Sequence, residues 1–254
     1  MTFHEFGKDN SRTLILIHPS AVMWDYFEYV IPLLEKDYHI IVPALPGYDE
    51  KDNGDFTSVE KIASDLAERL IERGLDDIEC MYGCSMGGSI VIRFICDRKV
   101  RVRNAVIDGG ITPYQLPWIV TRLIAVKDFL LIYLGKIGGA KLLEKAFATD
   151  DYSREDLRYV ERVLDHMSAK TIWRTFESCN NYSMPDSIQT DCQKIEYWYA
   201  QAEAGERKSD IKYMRDRIPG VVFRKFDDLG HGGLAAKKPE LFASEIDRVV
   251  NEGK

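Results

Sequence analysis

The chain has no excess of positive charge: its 254 residues include 34 Lys and Arg against 41 Asp and Glu, for a net charge of −7. That balance argues against nucleic acid as a partner, which asks for a basic face, and against an electrostatic membrane anchor. The first ten residues, MTFHEFGKDN, lack the basic and apolar regions of a signal peptide. Cysteine is scarce. Cys80, Cys84, Cys96, Cys179 and Cys192 are an odd number without C-x-x-C spacing, so neither a disulfide framework nor a zinc site is indicated. A reduced, cytoplasmic protein is the expectation. No internal repeat or low-complexity tract is visible. Apolar residues, in contrast, make up 45% of the chain, enough for a sizeable core and too many for a disordered chain.

Two early apolar runs, TLILIHP at 13–19 and YHIIVPALPG at 38–47, are continuous rather than alternating. Strands buried on both faces of a parallel sheet read this way. Between them YFEYVIPLLEK predicts a helix. Thr57 and Glu60 form the T-x-x-E pattern of a capping box, opening a helix whose apolar positions Ile62, Leu66, Leu70 and Ile71 keep helical spacing and which Gly74 ends. A strand IECMYGCS, a helix at 86–98 and a strand RNAVIDGG follow. Strands and helices alternating at this rhythm imply right-handed crossovers and a doubly wound, mostly parallel α/β sheet.

The rhythm breaks after Gly110. From 111 to 190 only helices are expected, around 116–134, 138–148, 153–167 and 169–180. Alternation then resumes with KIEYWYAQAE, a helix near 207–217, GVVFRKFDD and a last helix at 238–252. The predicted organisation is a core of 1–110 and 191–254, interrupted by a helical insertion at 111–190. Within it, LPWIVTRLIAVKDFLLIYL is apolar almost all round, but Arg122, Lys127 and Asp128 project in different directions, which is costly for a membrane span. A helix packed inside the insertion fits better, and a homodimer through this helix is a further reading.

Residues 83–87 read G-C-S-M-G. With each residue type near 7% usage, Gly-x-Ser-x-Gly arises by chance in roughly one chain of this length in ten, so the context must carry the meaning. Here it lies between a strand and a helix, which is the setting of a nucleophile elbow. The turn is tight enough to strain the serine backbone and to require glycine beside it, roles open to Gly83, Gly87 and Gly88. Ser85 Oγ would then stand above the sheet. The Met86 amide, at a helix N-terminus, would face a developing oxyanion. The plain alternative is a tight turn that happens to contain serine.

A serine hydroxyl is inert until a base takes its proton. The elbow predicts a chain order of serine, acid, then histidine. Of the five histidines, His4, His18 and His39 precede the elbow, and His166 lies in the insertion. His231, in the glycine-flanked DDLGHGG, is the candidate base. Glu203, in the turn after YWYAQ, is the candidate acid, and Asp108, ending NAVID, competes with it. The Ser20 amide in HPSAVMW is the candidate second oxyanion donor, with Ala21 next, because Pro19 has no N–H. Cys84, beside the serine, reads as a buried thiol rather than a nucleophile. Trp24, Trp118, Trp173 and Phe176 are candidates to line an apolar substrate pocket, ordinary packing being their other explanation.

Taken in order, LILIHPSAVMWDYFEYVIPLL, YHIIVPALPGYDE, MYGCSMGGSIVIRF, VIDGG, WYAQAE and LGHGG resemble the α/β-hydrolase superfamily over nearly the whole chain. The resemblance implies Ser85 as nucleophile, His231 as its base and Glu203 as the acid, where most members have aspartate. It also implies that 111–190 is a helical cap over the site. His18-Pro19 departs from the His-Gly of many relatives. The expected activity is hydrolysis of a carboxylic ester or related acyl bond of a small, mostly apolar molecule through an acyl-enzyme. Thioesterase, lactonase and carbon–carbon bond hydrolase chemistry would use the same residues, and a binding protein with little turnover would keep them. None of these steps calls for a metal or cofactor.

Overall fold

The computed structural model describes residues 1–51, 54–113, 116–146 and 153–252. Seven strands form one sheet: β1 (Thr2–Phe6), β2 (Thr13–Ile17), β3 (His39–Ala44), β4 (Asp77–Cys84), β5 (Arg101–Asp108), β6 (Lys194–Ala200) and β7 (Val222–Phe226). Their order is β1-β3-β2-β4-β5-β6-β7. All neighbours run parallel except β1, which lies antiparallel on β3 at the edge. β1 is the one strand the sequence reading lacks; it is short and half-buried throughout.

The continuous apolar runs are explained by two cores, one on each face. Ile15 and Ile17 of β2 enter one core while Leu14 and Leu16 enter the other. The same alternation divides Ala105 and Ile107 from Val106 in β5. Each of these side chains is fully buried, the Ile, Leu and Val ones contributing about 1.5–3 kcal/mol apiece. Helices α2 (Val59–Glu72) and α3 (Met86–Asp97) cover the first face, while α1 (Ile31–Leu34) and α9 (Pro239–Asn251) cover the second. α7 (Lys208–Arg217) follows β6, and α8 (Gly233–Lys237) is a short helix absent from the sequence reading.

Two expectations are corrected. The helix expected over 26–36 is a 3-10 turn, Trp24–Phe27, followed by the four-residue α1 with Pro32 in its first turn. A helix running through from residue 26 would need the N–H that proline lacks, and Pro32 fits only near a helix start. The cap of α2 is Ser58, whose Oγ accepts the Lys61 amide at 3.2 Å, rather than Thr57. Glu60 instead accepts the Ser183 amide at 2.7 Å, tying α2 to the end of the insertion.

Between β5 and β6 run α4 (Trp118–Ala146), α5 (Arg154–His166) and α6 (Ala169–Asn181). α4 joins the two helices expected at 116–134 and 138–148 across a kink at Gly139 (φ 61°, ψ −166°); the latter's end beyond 146 falls outside the described residues. Hydrogen bonds hold α6 over the β3–α2 side of the core. Tyr48 Oη meets Thr175 Oγ1 at 2.9 Å, and the Val59 amide donates to Ser178 Oγ at 2.8 Å. No helix among the described residues is long and apolar enough to cross a membrane.

Candidate active site

β4 ends at Cys84, and Ser85 takes φ 52° and ψ −113° before α3 begins at Met86. A side chain other than glycine is rare at such a φ, so the backbone is strained there. The turn is closed from both sides. A Cβ on Gly83 would stand 2.3 Å from the Gly87 carbonyl oxygen, and one on Gly87 would stand 2.3 Å from that of Ile17. The first turn of α3 is thereby pressed on the end of β2, next to the loop carrying His18, Pro19, Ser20 and Ala21. Ala21 has φ 60°, a second strained residue in that loop. The Ser85 amide donates to the Asp108 carbonyl at 2.8 Å, locking the elbow to the end of β5.

His231 lies in the loop between β7 and α8. Its Nδ1 is 2.6 Å from Glu203 Oε2. An ionised carboxylate can only accept, so Nδ1 carries the proton and Nε2 is left free to take one. The His231 ring fills the space beside Gly109, whose missing Cβ would stand 2.9 Å from the ring Cε1. Gly109 directly follows the residue that accepts the Ser85 amide, so serine turn and imidazole share one corner of the sheet. Tyr26 Oη, donating to the Gly232 carbonyl at 2.5 Å, pins the histidine loop.

Burial by itself would lower the His231 pKa, but the hydrogen bond and charge of Glu203 prevail and raise it above 6.5. Burial likewise works to raise that of Glu203. The His231 hydrogen bond and charge, the Ala200 amide on Oε1 at 3.0 Å and the nearby Arg207 together hold it below the usual glutamate value. The competing acid, Asp108, is turned elsewhere. It accepts the Tyr82 hydroxyl at 2.6 Å, and burial lifts its pKa to about 6.

Arg207 is a residue the sequence reading missed, although its spacing of four from Glu203 across the start of α7 is the available signal. It lies 3.6 Å from Glu203 Oε2 and 3.2 Å from Asp210 Oδ2, and its Nη1 donates to the Gly109 carbonyl at 3.4 Å. Asp210 in turn accepts the Thr112 amide and hydroxyl, both at 2.8 Å. His18 is wholly buried, and its Nδ1 donates to the Pro19 carbonyl at 2.8 Å. Burial lowers its pKa to about 4, so it is neutral at pH 7. Burial holds the Cys84 thiol well above its ordinary value, so it stays protonated.

The four aromatic candidates are dispersed. Trp24 stacks on His4 with ring centroids 4.0 Å apart, and Trp173 meets Phe129 edge-on at 5.8 Å. Phe176 packs against the first core, while Trp118 is 66% exposed with the Arg122 guanidinium above its ring.

A curated relative, 1H-3-hydroxy-4-oxoquinoline 2,4-dioxygenase of Pseudomonas putida, is 34% identical over 123 residues, which are 46% of this chain and 46% of that protein. The chain thus spans less than half the length of that relative. A carboxylesterase structure from Nitrososphaera gargenis superposes with a TM-score of 0.78 at 18% identity, covering 100% of this chain and 96% of that one. MenH from S. aureus superposes with a TM-score of 0.74 at 16% identity, covering 99% and 97%. At these identities the likeness is one of fold. The Alpha/beta hydrolase family matches residues 14–245, and with this match, the sheet order and the strained serine turn, the chain belongs to the alpha/beta hydrolase family.

Proposed function

We propose that the protein is a serine hydrolase acting on a carboxylic ester or related acyl bond of a small, mostly apolar molecule. The observation that carries this reading is the 2.6 Å Glu203–His231 contact beside the strained Ser85. Ser85 Oγ attacks the acyl carbonyl while His231 Nε2 takes its proton and then returns it to the leaving group. The Met86 amide, at the start of α3, and the Ser20 amide hold the tetrahedral oxyanion. Water, deprotonated by His231, then releases the acyl group from Ser85. Glu203 keeps the imidazole in the tautomer this sequence needs.

In this reading the core comprises 1–110 and 191–254, and 111–190 is a cap that selects the substrate. The five unpaired thiols fit a reducing compartment, and we place the protein in the cytoplasm. The test is hydrolysis of p-nitrophenyl esters from acetyl to dodecanoyl by wild type and by a folded Ser85→Ala variant. Turnover confined to wild type supports the reading, and equal rates in both proteins overturn it.

The curated relative favours a second reading, a dioxygenase acting on a hydroxylated heteroaromatic ring. His231 would then take a proton from the substrate hydroxyl instead of from Ser85, with dioxygen as co-reactant. Consumption of dioxygen with 1H-3-hydroxy-4-oxoquinoline, retained in Ser85→Ala and lost in His231→Ala, is the result that would favour it over ester hydrolysis.

A further inference from the structure

One face of α4 is packed and the other is bare. Thr121 and Ala125 are buried, and Phe129, Ile132 and Tyr133 lean on the core. Arg122 pairs with Glu177 at 2.6 Å, and Lys136 donates to the Leu164 and Asp165 carbonyls. The opposite face exposes Leu116, just ahead of the helix, then Ile119, Leu123, Val126, Leu130, Leu134 and Ile137, each between 41% and 68% accessible. Val120 and Leu131 flank the same strip. A large exposed Leu or Ile carries on the order of 100 Å² of apolar surface, so nine residues about half exposed present on the order of 500 Å². That is in the upper part of the roughly 300–600 Å² of the largest patch on most monomers. It is more than half of the roughly 800 Å² each partner gives to a stable dimer.

The spacing suits a second copy of the same helix. Counting outward from the point between Val126 and Lys127, the next residues of the strip fall three, four and three positions apart in both directions. Toward the N-terminus these are Leu123, Ile119 and Leu116; toward the C-terminus they are Leu130, Leu134 and Ile137. The Gly139 kink ends the strip just beyond. A two-fold axis through that midpoint would set Leu123 against Leu130, Ile119 against Leu134 and Leu116 against Ile137 of a second copy. A face shared by two identical chains must be self-complementary in this way, and alternating three-four spacing is what lets side chains of one helix seat between those of another. The single charge in the strip, Lys127, turns its ammonium aside to Asp128 at 3.3 Å, which leaves its aliphatic stem along the strip.

We propose that α4 is the interface of a homodimer, pairing antiparallel with α4 of a second copy across an axis between Val126 and Lys127. The experiment measures the mass of the full chain by sedimentation from 1 to 100 μM, alone and with neutral or phosphatidylserine vesicles. It is joined by disulfide capture of single-cysteine additions in otherwise wild-type protein, read against wild type as background. The expected result is a dimer whose dissociation constant rises at least 100-fold in Leu123→Glu/Leu130→Glu. Val126→Cys cross-links with itself. Ile137→Cys, about 30 Å from its counterpart at 1.5 Å per residue, cross-links only when mixed with Leu116→Cys. A monomer throughout, a dimer indifferent to the double substitution, self-capture of Ile137→Cys, or a monomer that sediments with vesicles would each overturn the proposal. Capture does not depend on the double variant folding, so it decides the matter if that variant does not.

Discussion

Glu203 Oε2 lies 2.6 Å from His231 Nδ1, while Asp108, the other acid at this end of the sheet, gives its carboxylate to Tyr82. The two acids are therefore not equivalent, and exchanging each for its amide separates them. Glu203→Gln removes the charge that stabilises a protonated imidazole and offers an amide that can hold the wrong tautomer, so kcat is expected to fall on the order of 10²–10⁴-fold. Asp108→Asn keeps an acceptor for Tyr82 and should cost less than 10-fold. Steady-state kinetics on the best ester of the series checks both.

In the proposed mechanism His231 must be neutral to act as base. Because Glu203 raises the His231 pKa, kcat/KM should climb with pH through a limb lying above the ordinary histidine value of about 6.5. The charges around the ring are Glu203, Asp108 and the cation of Arg207, which works to lower the His231 pKa. Arg207→Met should move the limb to higher pH, whereas damage to packing alone would lower the rate and leave the limb in place. A pH profile from 5 to 9 in both proteins reads the difference.

Asp108 binds its proton more tightly in the folded protein, its pKa raised to about 6 from 3.8. The stability this contributes is full below about pH 4 and is lost as pH rises through 6. Asp108→Asn cannot ionise, so its stability relative to wild type should improve between pH 4 and 8, by about 1–3 kcal/mol. Thermal melts at the two pH values measure it.

Gly87→Ala would bring a Cβ to 2.3 Å from the Ile17 carbonyl oxygen, a backbone atom that cannot swing away. Overpacking against backbone should destabilise by at least about 1–3 kcal/mol and displace the serine turn. Urea titration together with ester turnover should show both losses.

Much of this was legible in the chain. Strands buried on both faces leave continuous apolar runs, so β2, β3, β4 and β5 stand out, and the G-C-S-M-G turn marks the end of β4. What escaped depends on partners distant in sequence. β1 is half-buried at an edge and has little pattern to see. Ser58 rather than Thr57 is the cap, and Glu60 is engaged by Ser183, 123 residues away. The choice between Glu203 and Asp108 turns on where Tyr82 lies, and the role of Arg207 on a cluster of carboxylates that only the folded sheet assembles.

The most direct test of the account is the mass of the protein after a brief incubation with an activated ester, followed by peptide mapping. The account predicts one acyl group per chain on the peptide containing Ser85, formed at least 100-fold more slowly in His231→Ala. Turnover without any acyl adduct on Ser85, or an adduct whose rate is indifferent to His231, would contradict it.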